Sequence, residues 1–193
     1  MITRACISMN NRCNLSCKYC HFHEKQEYIH EMEMDIFQIL DHITAHIESH
    51  HLTQFKLGFV GNGEPLLDDV KLREYILYIA EYLKTGKIAA YTITNGTLVD
   101  EEKLEFFKEY RVDAGFSIDG IPLLHDRYRC GMHAKVMENI KLFQKVFGRY
   151  PSMNCTVGKE TLENAEETIG ENNKCKSGSW QPDIREALQG SFF

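Results

Sequence analysis

The sequence predicts an α/β fold: a parallel sheet of about five strands wound into a partial (β/α) barrel. Two observations predict it. Short β-like runs alternate with amphipathic helical stretches along most of the 193 residues, and such alternation calls for parallel strands joined by right-handed crossovers. The unusual residues (clustered cysteines, a Gly-Glu-Pro turn, Thr-Asn-Gly and Ser-x-Asp-Gly) all fall at the carboxyl ends of successive predicted strands. In a parallel α/β barrel those ends share one rim, and that rim is where barrel active sites are built.

The elements follow in order. Ala5-Cys6-Ile7-Ser8-Met9 reads as the first strand. A helix is expected from about Asp35 to His50, with Ile36, Ile39, Leu40, Ile43 and Ile47 at helical spacing. Phe55 to Val60 is the second strand, and it ends in Gly61-Asn62-Gly63-Glu64-Pro65. The next helix carries Leu72, Tyr75, Ile76, Ile79 and Leu83 on one face. Ala89 to Thr94 is a third strand stopped by Asn95-Gly96, after which Asp100 reads as the N-cap of a helix bearing Leu104, Phe107 and Tyr110. Val112 to Ile118 is the fourth strand, ending at Asp119-Gly120. A helix from about Lys135 to Phe147, a fifth strand from Ser152 to Val157 and a short helix from Thr161 to Ile169 complete the core, read as residues 1–169. The tail, 170–193, is polar and without a clear period; a short helix from Asp183 to Leu188 is the one element it offers.

Composition narrows the function. Hydrophobic residues at 43% and charged residues at 26% are ordinary for a globular domain. A formal charge of −6 argues against a nucleic-acid partner, whose binding surface would be basic. No run of about 20 apolar residues is present, so no membrane-spanning helix is expected. The N-terminus lacks the apolar region of a signal peptide, and seven clustered cysteines do not form a secreted disulfide framework, so a cytoplasmic protein is expected.

Arg12-Cys13-Asn14-Leu15-Ser16-Cys17-Lys18-Tyr19-Cys20 carries the strongest chemistry. Three thiolates at C-x3-C-x2-C spacing can share one soft metal centre, one ligand short of the four that closed zinc and electron-transfer iron–sulfur sites use. A [4Fe–4S] cube held by three cysteines keeps one iron open. A zinc knuckle completed by His21 or His23 is the other reading of the spacing. His42, His46 and His50 recur every four residues on one helix and read as its polar flank. Cys6, Cys130, Cys155 and Cys175 show no paired spacing and read as small buried thiols.

The cysteine run, with an aromatic residue before its third cysteine, resembles the cluster motif of the radical S-adenosylmethionine (SAM) superfamily. The Gly63-Glu64-Pro65 turn resembles that superfamily's Gly-Gly-Glu-Pro motif, with Asn62 standing where the first glycine usually is. Ser117-Ile118-Asp119-Gly120, followed by His125-Asp126-Arg127-Tyr128-Arg129, is similar to a stretch of one branch, the anaerobic sulfatase-maturating enzymes and their peptide-modifying relatives. The resemblance covers roughly Ile2 to Ile169. It implies that Cys13, Cys17 and Cys20 hold a [4Fe–4S] cluster and that SAM binds its open iron. It also implies contacts to SAM from Tyr19, Gly63, Glu64, Pro65, Thr94, Asn95, Ser117, Arg129 and Asn154. The implied reaction is reductive SAM cleavage followed by hydrogen abstraction from a peptide or protein substrate, with a flavodoxin or ferredoxin as electron donor.

The tail does not resemble the branch, whose members commonly continue into a cysteine-rich domain with auxiliary clusters. A catalytically impaired fragment that still binds cluster and SAM therefore stays open as an alternative. An uncovered parallel edge would also invite a homodimer.

Overall fold

A computed structural model describes residues 1–20 and 35–174, with side chains to residue 170. His21, His23, Cys175 and the predicted helix from Asp183 to Leu188 lie outside the described residues. Five strands form one sheet, β1 (Arg4–Ser8), β2 (Phe55–Val60), β3 (Ile88–Thr94), β4 (Asp113–Ser117) and β5 (Ser152–Asn154). They stand in sequence order, and every neighbouring pair is parallel. Each crossover thus advances the sheet by one strand in one direction, as in a barrel, with no reversal of order of the doubly wound kind.

Helices α1 (Ile36–Ser49), α2 (Asp69–Tyr78), α3 (Ala80–Lys84), α4 (Glu101–Glu109), α5 (Pro122–Tyr128), α6 (His133–Phe147), α7 (Lys159–Glu163) and α8 (Ala165–Lys174) complete the described chain. Side-chain alternation divides the sheet. Ile7, Leu57, Phe59, Ala90, Ala114 and Phe116 are buried with Leu40, Ile47, Leu72, Ile76, Leu104, Ile140 and Phe143 from the helices. The other face carries the register neighbours Cys6, Gly58 and Tyr91 and, nearer the rim, Gly115 beside Ser152 and Ser117 beside Asn154. Gly58 is required there: a Cβ would lie 2.7 Å from the Tyr91 hydroxyl.

Local signals act as the sequence predicts. Asp35 caps α1 by accepting from Phe37 N and Gln38 N, and Asp100 caps α4 by accepting from Lys103 N. His42 on α1 and His50, the residue that caps its C-terminus, bond the carbonyls of Gln38 and His46, one turn back. No helix among the described residues is long and apolar enough to cross a membrane.

Beyond shifts of a residue or two at strand and helix ends, four features differ from expectation. The helix expected through Leu72 to Leu83 breaks at Ile79 (φ −103°, ψ 16°), where Tyr82 N turns back to Ile79 O at 3.0 Å. The break lets Ile79 and Leu83 both bury against the sheet. The last helix divides likewise at Asn164, giving α7 and α8. The fifth strand stops at Asn154, because Thr156 N is drawn to the Asp119 carboxylate instead of a ladder partner. Helix α5, which had no expected counterpart, starts at Pro122, whose fixed φ and missing N–H suit a first helical position.

Candidate functional site

The cysteine loop leaves β1 at the rim, and its stem is fastened to the Gly-Glu-Pro turn. Glu64 N donates to Arg12 O at 2.7 Å. Asn10 Nδ2 donates to Glu64 O at 3.0 Å and to Asp68 at 2.8 Å, and Arg12 pairs with Asp68 at 2.5 Å. Gly63 makes this approach feasible: a Cβ there would lie 2.0 Å from Arg12 O and 2.2 Å from Asn10 Oδ1. The glycine is thus demanded by contact with the cysteine loop. Asn62, the departure from the family pattern, is exposed and donates to Asn11 at 3.3 Å.

Cys13, Cys17 and Cys20 are free thiols, each half-buried. Burial pushes the Cys13 thiol up, opposed by N–H groups aimed at its sulfur from Leu15 N (3.4 Å) and Asn95 Nδ2 (3.8 Å). Burial pushes Cys17 up to about 11, and the nearby Arg129 charge pulls the other way. The amide donors and the cation work against that burial and toward the thiolate, the form that binds metal. Among the described residues no three metal-binding side chains converge on one point. Three thiols in one loop are the ligand chemistry a cubane takes, each thiolate on a different iron. The donor set fits a cluster on that chemistry.

Glu64 is buried, and its carboxylate joins two loops. It accepts from Leu66 N (3.1 Å), capping the 3₁₀ turn Pro65–Asp68, from Thr94 Oγ1 (2.6 Å) and from Asn95 N (2.7 Å). Burial raises its pKa, and these donors oppose the rise. Pro65 is buried as the first residue of that turn. Asn95 carries the connection onward: Nδ2 donates to Asn14 Oδ1 at 2.9 Å, and Oδ1 accepts from Thr97 N and Thr97 Oγ1. Gly96 takes the left-handed backbone expected of Asn-Gly (φ 79°), and a Cβ there would lie 2.8 Å from the Phe116 ring.

At the end of β4, Ser117 is half-buried beside the exposed Asn154, both on the face turned from the helices. Asp119 is fully buried. It accepts from Tyr19 Oη (2.5 Å), Arg129 Nε (2.7 Å), Arg129 Nη2 (3.3 Å) and Thr156 N (2.9 Å). Its own N–H donates to His125 Nδ1 at 3.2 Å. Arg129 is itself buried; desolvation would lower its pKa, but the Asp119 bond and charge raise it. Lys18 N donates to Tyr128 O at 3.0 Å, so the cysteine loop is pinned to this segment also.

The rim therefore brings together the cysteine loop, Gly63, Glu64, Thr94, Asn95, Tyr19 and Arg129 in one bonded network, with Ser117 and Asn154 beside it on the open face. The Arg129 guanidinium is committed to Asp119, not presented outward. Sequence reasoning missed Asp119, Asn14 and His125 as parts of this network. The signal was in hand for Asp119, which is the acid of Ser-x-Asp-Gly, but nothing in one sequence says that Tyr19 reaches it.

The family model for the radical SAM superfamily matches residues 7–171. The cysteine-type anaerobic sulfatase-maturating enzyme of Clostridium novyi (strain NT) is 31% identical over 145 residues, covering 70% of this chain and 38% of that protein. The serine-type anaerobic sulfatase-maturating enzyme of Bacteroides thetaiotaomicron is 32% identical over 142 residues, covering 69% of this chain and 34% of that protein. The chain thus spans little more than a third of the length of these relatives. In structure it is similar to native anSMEcpe with bound AdoMet, with a TM-score of 0.72 at 24% identity, covering 90% of this chain and 49% of that one. It is similar also to native anSMEcpe with bound AdoMet and Cp18Cys peptide, with a TM-score of 0.71 at 23% identity, covering 95% and 54%. At those identities the likeness speaks for the fold.

Proposed function

The chain belongs to the radical SAM superfamily, and from that premise we propose that its rim holds a [4Fe–4S] cluster through Cys13, Cys17 and Cys20 and binds SAM for hydrogen abstraction from a peptide or protein. When bound, the cluster and SAM supply one-electron cleavage of the SAM sulfonium bond and a radical able to take hydrogen from substrate. The observation that carries the reading is the fastening of a three-cysteine loop to both the Gly-Glu-Pro turn and the Ser-x-Asp-Gly segment at one end of a parallel sheet.

The chain's own residues divide the work. Three thiolates bind the cluster, with the Leu15 and Asn95 N–H groups bonding the Cys13 sulfur and moderating its charge. Glu64 keeps the turn that meets SAM in register with Thr94 and Asn95. About three of the four acceptor positions of its carboxylate already serve the protein, so the turn's backbone, more than the Glu64 side chain, is what remains for the SAM amino group. Ser117 and Asn154, side by side on the open face, would meet the nucleoside portion. Tyr19, Pro65 and Arg129 serve by holding these loops.

The sulfatase-maturating relatives, and the Cp18Cys peptide bound in one structural neighbour, support a peptide substrate. A flavodoxin or ferredoxin would deliver the electron. Low-temperature EPR of anaerobically reconstituted, dithionite-reduced protein tests the reading. A [4Fe–4S]⁺ signal that shifts on adding SAM is expected. A missing signal, or one indifferent to SAM, would overturn it.

A further inference from the structure

The two residues between the second and third cluster cysteines are both anchored to the same distant segment. Lys18 is held through its backbone by Tyr128 O at 3.0 Å. Tyr19 is held through its hydroxyl by Asp119 at 2.5 Å, 100 residues away in sequence. Tyr19 keeps 37% exposure although its hydroxyl is tied inward, so the residue is not a core-filling one. The Arg129 guanidinium packs 5.4 Å from that ring while its Nε and Nη2 take both Asp119 oxygens. The Asp119 charge is therefore already met by Arg129, and its N–H is already fixed on His125 Nδ1. What the Tyr19 hydroxyl adds is a fixed place for the Cys17–Cys20 half of the loop.

We propose that Asp119 is the positioning residue of the cysteine loop, acting through the Tyr19 hydroxyl with Arg129 as its counter-charge, so that Cys17 and Cys20 stand where the cluster and SAM require them. The inference rests on the cluster and SAM reading above. It gives Arg129 and Tyr19 a part distinct from direct contact with SAM. A purely structural ion pair between Asp119 and Arg129 would steady α5 and leave the cluster's electronic surroundings unchanged.

The test uses the full chain, reconstituted anaerobically, as wild type, Tyr19→Phe, Asp119→Asn and the double variant. Four quantities are measured: melting temperature, iron per chain, the EPR spectrum with and without SAM, and SAM affinity. Tyr19→Phe removes one oxygen and is expected to melt within about 2 °C of wild type. It should still load iron, yet show an altered EPR response to SAM and roughly fivefold weaker SAM binding, the scale of one lost hydrogen bond. The double variant should be no worse than Asp119→Asn, since both changes cut one contact.

A folded, iron-loaded Tyr19→Phe with the wild-type spectrum and affinity would overturn the proposal, as would additive effects in the double variant. Should Asp119→Asn fail to fold, Tyr19→Phe decides alone. A wild-type chain without a SAM-responsive cluster would instead sink the reading on which this rests.

Discussion

His125 couples the rim to pH. Its Nδ1 accepts from Asp119 N, so the imidazole is needed neutral. Burial, reinforced by the Arg129 charge and opposed by Asp119 and Asp126, pulls its pKa from 6.5 down to about 4. As pH falls below 6.5 the unfolded chain takes up a proton that the folded chain refuses. Stability contributed by this residue is therefore full above pH 6.5 and falls away between 6.5 and 4, by on the order of 3 kcal/mol. Urea unfolding at pH 7, 5 and 4 measures it, and His125→Asn, which keeps an acceptor near Nδ1, should remove most of that slope. An unchanged slope would mean that another group dominates. Gly63→Ala acts at the same scale by sterics. Its methyl would stand 2.0 Å from Arg12 O, where backbone must move, so a loss of about 1–3 kcal/mol is expected together with reduced iron uptake. Normal iron loading in that variant would show that the cysteine loop tolerates displacement of its stem.

Elements are seated on the rim by a few buried polar bonds. Helix α6 reaches the β3 loop through Asn139, which is buried and whose Nδ2 donates to Gly96 O at 2.7 Å. Its buried apolar face puts Val136, Ile140 and Phe143 in the core. Asn139→Leu would keep side-chain volume and strand the Gly96 carbonyl without its donor, a cost of about 1–3 kcal/mol. The urea midpoint should fall while the spectrum of any bound cluster stays as in wild type, because α6 holds the loop from behind. The helices themselves were legible: the apolar positions of α1, α4 and α6 sit at helical spacing and bury as expected, and Asp35 and Asp100 announce two starts. Interruptions at Ile79 and Asn164 were not legible, because no glycine or proline marks them. At Ile79 the burial of Leu72 and Ile76 before the break and of Leu83 after it overrides local propensity.

At the scale of the whole molecule, the cysteine loop is bonded to three βα units besides its own, at Glu64, at Asn95 and Thr97, and at Tyr128 and Asp119. Whatever fills that loop should therefore stiffen the sheet from β1 to β4. Reconstituted protein is expected to melt several degrees above the iron-free protein, and chelation under air should reverse the gain, since a group bound only by the folded state stabilises it by mass action. Equal melting temperatures with and without iron, at full iron loading, would show that the loop is decoupled from the fold.

The sequence by itself determined the strand and helix order, the parallel sheet, the rim on which every unusual loop lies, and the cysteine set. These are local or periodic properties: apolar spacing, caps, glycine turns and thiol spacing are written within a few residues of one another. Only the tertiary structure decided that Gly63 is a contact glycine for Arg12, that Glu64 spends its carboxylate on Thr94 and Asn95, and that Arg129 and Tyr19 meet on Asp119. Those pairings join residues 10 to 100 positions apart, and the buried polar network that fixes them exists only once the sheet has brought the loops to one edge.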